Sequence, residues 1–412
     1  VAETVRIADR SWLDAPPTCA LIAAFDSAGI DFRFVGGAVR DSLLGRPVSD
    51  VDVATPARPE AVLVALDAAR IKSVPTGLSH GTVTAIVEGR PFEITTLRRD
   101  VETDGRHATV AFSTDWREDA ARRDFTMNAL YADRDGAVMD FFGGVADARA
   151  GHVRFIGDPA TRITEDALRI LRFFRFHAHY GHGEPDAEGS AACARLAAMI
   201  DGLSGERIRD ELLKLLGAPD PVSAWRAMER AGVVVHLLPN ADSGGLARMV
   251  AIERALRLEP DALRRLAALG GTEALKKRLK LSNRDARRLA AMHAPGPRTT
   301  LVVREAFGRA LYGGEPDDVR DAALLAHVRA SSPDVPVLQR FLEFLATWRE
   351  PKFPLNGADL QRLGVAEGAE LGRLLAEIEL WWITSDFAPD RAACLAELER
   401  ALRARRPPEA AT

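Results

Sequence analysis

At 412 residues the chain is long enough for about two to four domains and a sizeable core, and its 47% hydrophobic and 28% charged residues are ordinary for a soluble globular protein. No apolar run is long enough to span a membrane, and the first residues, VAETVRIADR, carry neither a signal-peptide nor an Arg/Ser-rich transit pattern, so a cytoplasmic address without a membrane partner is expected. The formal net charge of −4 hides an asymmetry: residues 251–310 hold 14 Lys and Arg against 6 Asp and Glu, whereas residues 1–150 hold 17 against 23.

In chain order, a helix over roughly Pro17 to Ala28 is expected to pack on a first strand ending at Phe34-Val35. Gly36-Gly37 then makes a tight turn, with a helix from Ala38 to Leu44 whose free backbone N–H groups, together with Arg40, suit a triphosphate. Val51 separates Asp50 from Asp52 in an apolar, β-branched run, so both carboxylates project from one face of a strand. Two acids that close call for a cation, and Mg²⁺ carrying substrate phosphates suits such oxygen ligands. A Gly-Gly pair alone is most often a plain turn, and a D-x-D is as often a solvated strand end; their succession is more specific.

The order glycine pair, helix, D-x-D strand resembles the nucleotidyltransferase superfamily to which DNA polymerase β belongs. The fuller string GGAVRDSLLGRPVSDVDVAT is similar to class II CCA-adding enzymes and bacterial poly(A) polymerases. A Walker phosphate loop and a dinucleotide-binding glycine fingerprint are both absent from the sequence, which disfavours a P-loop kinase or a dehydrogenase.

Pro56 and Pro59 open a helix with Val62, Leu63 and Leu66 on its apolar side, and HGTVTAIVEG and RPFEITTLRRD follow as a hairpin about Glu88-Gly89-Arg90. Glu93 falls in its second strand; the resemblance implies a third acid for the metal site there, against the plain reading of an exposed strand glutamate. The polar segment Arg98–Val110 reads as a mobile loop, and resembles the flexible loop that helps CCA-adding enzymes move from C to A addition; His107 is one of its side chains.

In DAARRDFTMNALY, residues 119–131, Asp124 suits the cap of a helix starting at about Phe125. The cap leaves Arg122 and Arg123 unexplained, whereas an arginine and an aspartate beside a nucleotide serve a phosphate and a ribose hydroxyl. The string RRDFTMNAL resembles the family's ribose-recognition motif, which implies nucleotide contacts for Arg123, Asp124 and Asn128 beside Gly36, Gly37 and Arg40. Residues 136–156 read as short strands about a turn at Gly143-Gly144.

Residues 161–176, TRITEDALRILRFFRF, predict one largely buried helix, with Thr164 as N-cap and Glu165 and Asp166 in its first turn. Asp166, Arg169, Arg172 and Arg175 recur every three residues as a polar stripe, and charges on a buried helix need partners or a cleft. A carboxylate accepts from an exocyclic amine and a guanidinium donates to a ring nitrogen or carbonyl, an order that cytosine and adenine satisfy and guanine and uracil reverse. The run Glu165-Asp166-Ala167-Leu168-Arg169 resembles the EDxxR amino-acid template of class II enzymes, which implies base reading by Asp166 and Arg169, with Arg172 and Arg175 meeting phosphates or holding the stripe together.

Ser204 is expected to cap GERIRDELLKLL, residues 205–216, a structural helix. Further helices follow near 221–231, 246–258, 260–269, 273–281 and 283–291, and the cluster Lys276, Lys277, Arg278, Lys280, Arg284, Arg287 and Arg288 suits phosphates of a structured RNA. The tail from Pro351 to Leu402 reads as helical with Trp381 and Trp382 in its core, ahead of a disordered ARRPPEAAT. Cys19, Cys193 and Cys394 are expected as buried thiols. The expected fold class is α+β, a nucleotidyltransferase head over 1–150, then an all-α neck over 151–220, body over 221–300 and tail over 301–412. By resemblance the chain is expected to add CCA to tRNA 3′ ends from CTP and ATP, with Mg²⁺ on Asp50, Asp52 and Glu93 and no obligate protein partner; an A-adding enzyme, a poly(A) polymerase or a non-catalytic RNA-binding module are the alternatives.

Overall fold

The computed structural model describes residues 5–104, 107–270, 272–294, 305–330 and 334–405. They form two compact units, one from residues 1–243 with 274–280 and one from 244–273 with 281–412.

The first unit opens with α1 (Pro16–Ser27), β1 (Arg33–Val35), α2 (Gly37–Leu43), β2 (Val51–Thr55) and α3 (Pro59–Ala68). Then come β3 (Lys72–Gly77), β4 (Thr82–Val87), β5 (Arg90–Thr96), β6 (Arg98–Asp104), β7 (His107–Phe112), α4 (Trp116–Ala121), β8 (Leu130–Ala132), β9 (Val138–Asp140) and α5 (Gly144–Ala150). Seven of these strands make a mixed sheet in the order β3-β4-β5-β2-β1-β8-β9, parallel only between β2 and β5. Side-chain alternation divides its two faces. Phe34, Val51, Val53, Phe92 and Ile94 pack with α1 and α3 residues in one core, whereas Val35, Ala54, Leu97 and Tyr131 join a smaller one. Asp52 falls in register between them, on the face of Ala54.

Four local expectations change. In the segment 98–110 the strands β6 and β7 pair antiparallel, because their backbone groups bond one another whatever the polarity of the side chains, and their base is tied by Ser113 N–H to the Leu97 carbonyl at 2.8 Å. Side chains 100–110, His107 included, lie outside the described residues. The turn at Gly143-Gly144 starts the helix α5 instead of linking strands, since Asp140 accepts from the Gly144 and Val145 N–H groups at 2.9 and 3.0 Å. After Asp124 there is one 3-10 turn, Thr126–Asn128, because Phe125 is held extended and bridged to Phe155. Cys19 is exposed on α1, not buried, while Cys193 and Cys394 are buried.

The helical part of this unit continues as α6 (Pro159–Glu165), α7 (Leu168–Tyr180), α8 (Ala187–Leu196), α9 (Gly205–Leu216) and α10 (Val222–Arg230), with α7 packed between α9 and α10. The single helix expected over 161–176 is thus two. Asp158 caps α6 through the Thr161 N–H at 2.7 Å, so Thr164 sits inside that helix, and the chain breaks at an extended Asp166, with φ −155° and ψ 107°. Ser204 precedes α9 without a side-chain cap bond. Phe125, Phe155, Phe173 and Phe176 meet tilted or stacked where the segment after α4 touches α7.

Among the described residues the second unit is helical, from Ser243–Ala255 through Arg391–Arg405. Its centre holds a buried ionic cluster in which Glu253 takes Arg264 and Arg265, and Asp321 takes Arg264 and Arg288. In its last helices Trp382 is buried with Leu374, Ile378, Cys394 and Leu398, and Trp381 is half-buried against them. Residues 406–412, most of the expected disordered end, lie outside the described residues. Among the described residues no helix is long and apolar enough to cross a membrane.

A Cβ at Gly144 would collide with the Thr126 carbonyl oxygen, a backbone atom, whereas nothing lies within 4 Å of one at Gly202. Gly144→Ala is therefore expected to lower unfolding stability by about 1–3 kcal/mol. Gly202→Ala is expected to leave the denaturation midpoint nearly unchanged, and urea titration of the two variants checks the difference.

Candidate active site

The sheet register assembles the acids. β1 pairs with β2 so that Val35 faces Asp52, and the parallel β2–β5 pair sets Asp52 opposite Glu93. Directly after Val35, Gly36 turns at φ 72°, ψ −121°, a conformation that side-chain-bearing residues rarely adopt, and α2 begins at the next residue. Gly36, Gly37, Arg40, Asp50 and Asp52 all line a single cleft of about 1010 Å³. Asp50, just ahead of the strand, is exposed and accepts from Ser49 Oγ at 3.0 Å. Asp52 is half-buried. Burial raises its carboxyl above the usual range, and the charges of Glu93 and Asp50 push the same way against the pull of Arg123. Glu93 is exposed and is the strand neighbour of Asp52, not part of the cleft wall.

The motif around Arg123 forms the opposite wall. Buried Asp119 receives Arg122 at 2.7 Å, Arg123 at 3.2 Å and the Tyr131 hydroxyl at 2.7 Å, which aims two guanidinium groups at the cleft. Asp124 accepts from the Phe125 N–H at 2.8 Å, from Asn128 Nδ2 at 3.0 Å and from Arg172 Nε at 2.7 Å. Burial alone would raise the Asp124 carboxyl; Arg172, Asn128 and the Phe125 N–H reverse this and hold it below the usual carboxylate range. Asn128 Oδ1 in turn accepts from Arg40 Nη1 at 2.6 Å, and Arg40 donates to the Tyr180 hydroxyl at 2.6 Å with its guanidinium 4.1 Å from that ring. A continuous chain, Arg172–Asp124–Asn128–Arg40–Tyr180, therefore joins α2 to α7.

The stripe on the helical part completes the cleft, for Asp166, Arg169, Arg172 and Arg175 all line it. Asp166 and Arg169 are not paired with each other. Arg169 is bound to Glu165 and to the Arg162 carbonyl at 2.7 Å, so Glu165, which ends α6 instead of lying in a first helical turn, serves as a guanidinium partner. Asp166 is bound to Arg207 of α9 at 2.8 Å, and Arg175 Nε meets Glu211 of α9 at 3.0 Å. Arg207 was not singled out by the sequence, where its helix reads as structural. The available signal was the Arg207-to-Glu211 spacing of one helical turn beside the apolar Ile208 and Leu212.

Of the basic cluster, Lys276, Lys277 and Lys280 are exposed on the first unit, with Lys280 Nζ 2.9 Å from Glu206, and Arg278 is half-buried against the Ile200 carbonyl at 3.3 Å. Arg284 and Arg287 are exposed on the second unit, while Arg288 is held by Asp261 at 2.8 Å and by Asp321.

Residues 32–154 match the family described as "Poly A polymerase head domain", and residues 184–244 the one described as "Probable RNA and SrmB- binding site of polymerase A". Over 395 residues the chain is 34% identical to CCA tRNA nucleotidyltransferase 1, mitochondrial, of Danio rerio, covering 92% of this chain and 90% of that protein. The chain belongs to the CCA-adding enzyme family. A CCA-adding enzyme of Limosilactobacillus fermentum is 31% identical, over 91% of this chain and 94% of that one. The solved CCA-adding enzyme of Bacillus stearothermophilus in complex with CTP matches with a TM-score of 0.76 at 28% identity, over 95% of this chain and 99% of that one. In this member of the CCA-adding family α7 falls between the two matched segments, so the cleft takes residues from the head match and from the chain beyond it.

Because the Asp52 carboxyl is raised in the folded state, its ionisation opposes folding: stability is full below the unfolded carboxylate range and falls as pH rises through the raised value. Asp52→Asn is therefore expected to raise the thermal midpoint at pH 7 in metal-free buffer, with the gain vanishing toward pH 3. Calorimetric melts across that range check it.

Proposed function

We propose that this chain adds CCA to tRNA 3′ ends from CTP and ATP, without a nucleic-acid template. The observation that carries the reading is that one cleft brings the Asp50–Asp52 pair and the Gly36-Gly37 turn together with Asp166 and Arg169. Chemistry and base recognition are thus within reach of one bound nucleotide.

The reaction joins the tRNA 3′-hydroxyl oxygen to the α-phosphorus of the nucleotide and breaks the α–β phosphoanhydride bond, releasing pyrophosphate. The family is metal-dependent in general, and the donor set here is of the hard type: two carboxylates one residue apart beside an open cleft suit Mg²⁺, which keeps waters and takes phosphate oxygens. Asp50 and Asp52 are the residues that would hold it, with Glu93 adding negative potential from the neighbouring strand. Bound there, such a metal lowers the pKa of the attacking hydroxyl and offsets the charge building on the leaving group.

The chain's own residues do the rest. The α2 N-terminus and Arg40 receive the triphosphate, and Asn128 and Tyr180 hold the Arg40 guanidinium in place for it. Arg123, steadied by Asp119, and Asp124, steadied by Arg172, face the sugar. Asp166 accepts the amine of cytosine or adenine and Arg169 donates to the ring acceptor beside it; guanine and uracil leave both groups mispaired, at about 1–3 kcal/mol each. Lys276, Lys277, Lys280, Arg284 and Arg287 are the exposed cations offered to RNA phosphates. Arg278 and Arg288, held by protein groups, contribute to the fold of those surfaces. The division into head, neck, body and tail follows these roles, with chemistry in 1–150 and base reading in 151–220.

Incubation with Mg²⁺ and a tRNA lacking its 3′ CCA, each labelled nucleotide alone and CTP with ATP, is expected to yield two C, one A and a stop at single-nucleotide resolution. Long A tails would make it a poly(A) polymerase, a lone A on tRNA ending in CC an A-adding enzyme, and no incorporation an RNA-binding module. Asp50→Ala and Asp52→Ala are each expected to abolish turnover while nucleotide binding persists weakly; near-normal rates would remove the metal role. Asp166→Ala and Arg169→Ala are expected to relax discrimination of C and A against U and G by about ten- to a hundredfold, read as ratios of kcat/KM.

A further inference from the structure

Asp166 lies in the break between two helices, with an extended backbone, so no helical turn orients its side chain. Two hydrogen bonds do. Its Oδ1 accepts from the Leu168 N–H at 3.1 Å, one turn of its own loop, and its Oδ2 accepts from Arg207 Nη2 at 2.8 Å, across from α9. The first comes from the start of α7, two residues on in the chain, and the second from a helix distant in sequence. A carboxylate has about four lone-pair positions; these two bonds occupy one on each oxygen and leave one on each for a ligand.

The facing helix repeats the pattern in opposite sign. Along the stripe an acid, Asp166, is followed by Arg172 and Arg175; along α9 a base, Arg207, is followed one turn later by Glu211, which takes both arginines. Arg207 and Asp166 keep 28% and 25% of their side chains exposed at the cleft. The pair is mostly withdrawn from solvent, so its charge-assisted bond fixes the orientation of the carboxylate as well as joining the two segments.

We propose that Arg207 is a positioning residue for nucleotide selection: by holding Oδ2 of Asp166 it fixes the plane in which that carboxylate accepts the exocyclic amine of the incoming base. This rests on the reading of Asp166 as a base-contacting residue. Arg207 acts through Asp166 and makes no base contact of its own. Without it the carboxylate turns about its one remaining tether, and its preference for an amine over a carbonyl weakens.

The test measures kcat/KM for CTP and for UTP on tRNA lacking its 3′ CCA, for the full chain and for Arg207→Ala, Arg207→Lys, Asp166→Ala and the Arg207→Ala/Asp166→Ala double variant. Arg207→Ala is expected to lower the CTP-to-UTP ratio about tenfold, the scale of a misplaced contact. Arg207→Lys, which keeps the charge and a donor, is expected to give an intermediate ratio, and it carries the test should the alanine variant fail to fold. In the double variant the ratio is expected to equal that of Asp166→Ala alone, since nothing is left for Arg207 to hold. An equal fall for CTP and UTP would make Arg207 merely structural and overturn the proposal. So would additive effects in the double variant, which would mean that Arg207 touches the ligand itself. A ratio collapsed by Asp166→Ala but untouched by Arg207→Ala would sink this inference alone, whereas a ratio untouched by Asp166→Ala would sink the base-reading assignment with it.

Discussion

A guanidinium withdrawn from water must meet a carboxylate, a carbonyl or a ligand, and the cleft is built on that requirement. Arg172 and Arg175 leave α7 toward Glu211, Arg172 also binds Asp124, Arg122 and Arg123 converge on Asp119, and Arg40 is held by Asn128 and Tyr180. These partners come from both the sheet and the helices behind it. The same pairs that satisfy the charges therefore hold α2, the segment after α4, α7 and α9 at fixed distances around one volume. Remove a partner such as Asp119 and two cleft arginines lose their direction together.

The acids obey the opposite constraint. Asp52 sits where burial and the neighbouring charges of Glu93 and Asp50 make its ionised form unfavourable, and the β2 register leaves it no choice of place. Functional sites commonly keep such an imbalance, and here a cationic wall faces it across the cleft. The local field thus favours a ligand that brings both signs, a polyanion with its divalent cation.

Much of this was legible in the residue order. The glycine turn, the strand with Asp52, the hairpin that carries Glu93 and the apolar pattern of α7 each depend on near neighbours, whose steric and hydrophobic preferences act over a few residues. In one failure a distant group had decided the matter. Asp124 looked like a helix cap, but Phe155 holds Phe125 extended and Arg172, 48 residues away, takes the carboxylate. Thr164 looked like a start, but Asp158 had already begun the helix and Asp166 ends it. Residues 98–110 looked like a loop because polarity was visible and backbone pairing was not.

By itself the sequence determined the α+β class, the order of the motifs and the identity of most of the charged groups that line the cleft, though not Asp41, Arg207 or Lys214, since periodicity and motif spacing are properties of adjacent residues. Tertiary structure alone decided who pairs with whom. Arg207 is one arginine among many in the chain until α9 packs against α7 and brings it to Asp166, and Arg288 reads as a surface cation until the second unit folds it onto Asp261 and Asp321. Charge partners are chosen by distance in space, and over 41 residues of chain that distance is set by helix packing, which the local sequence does not contain.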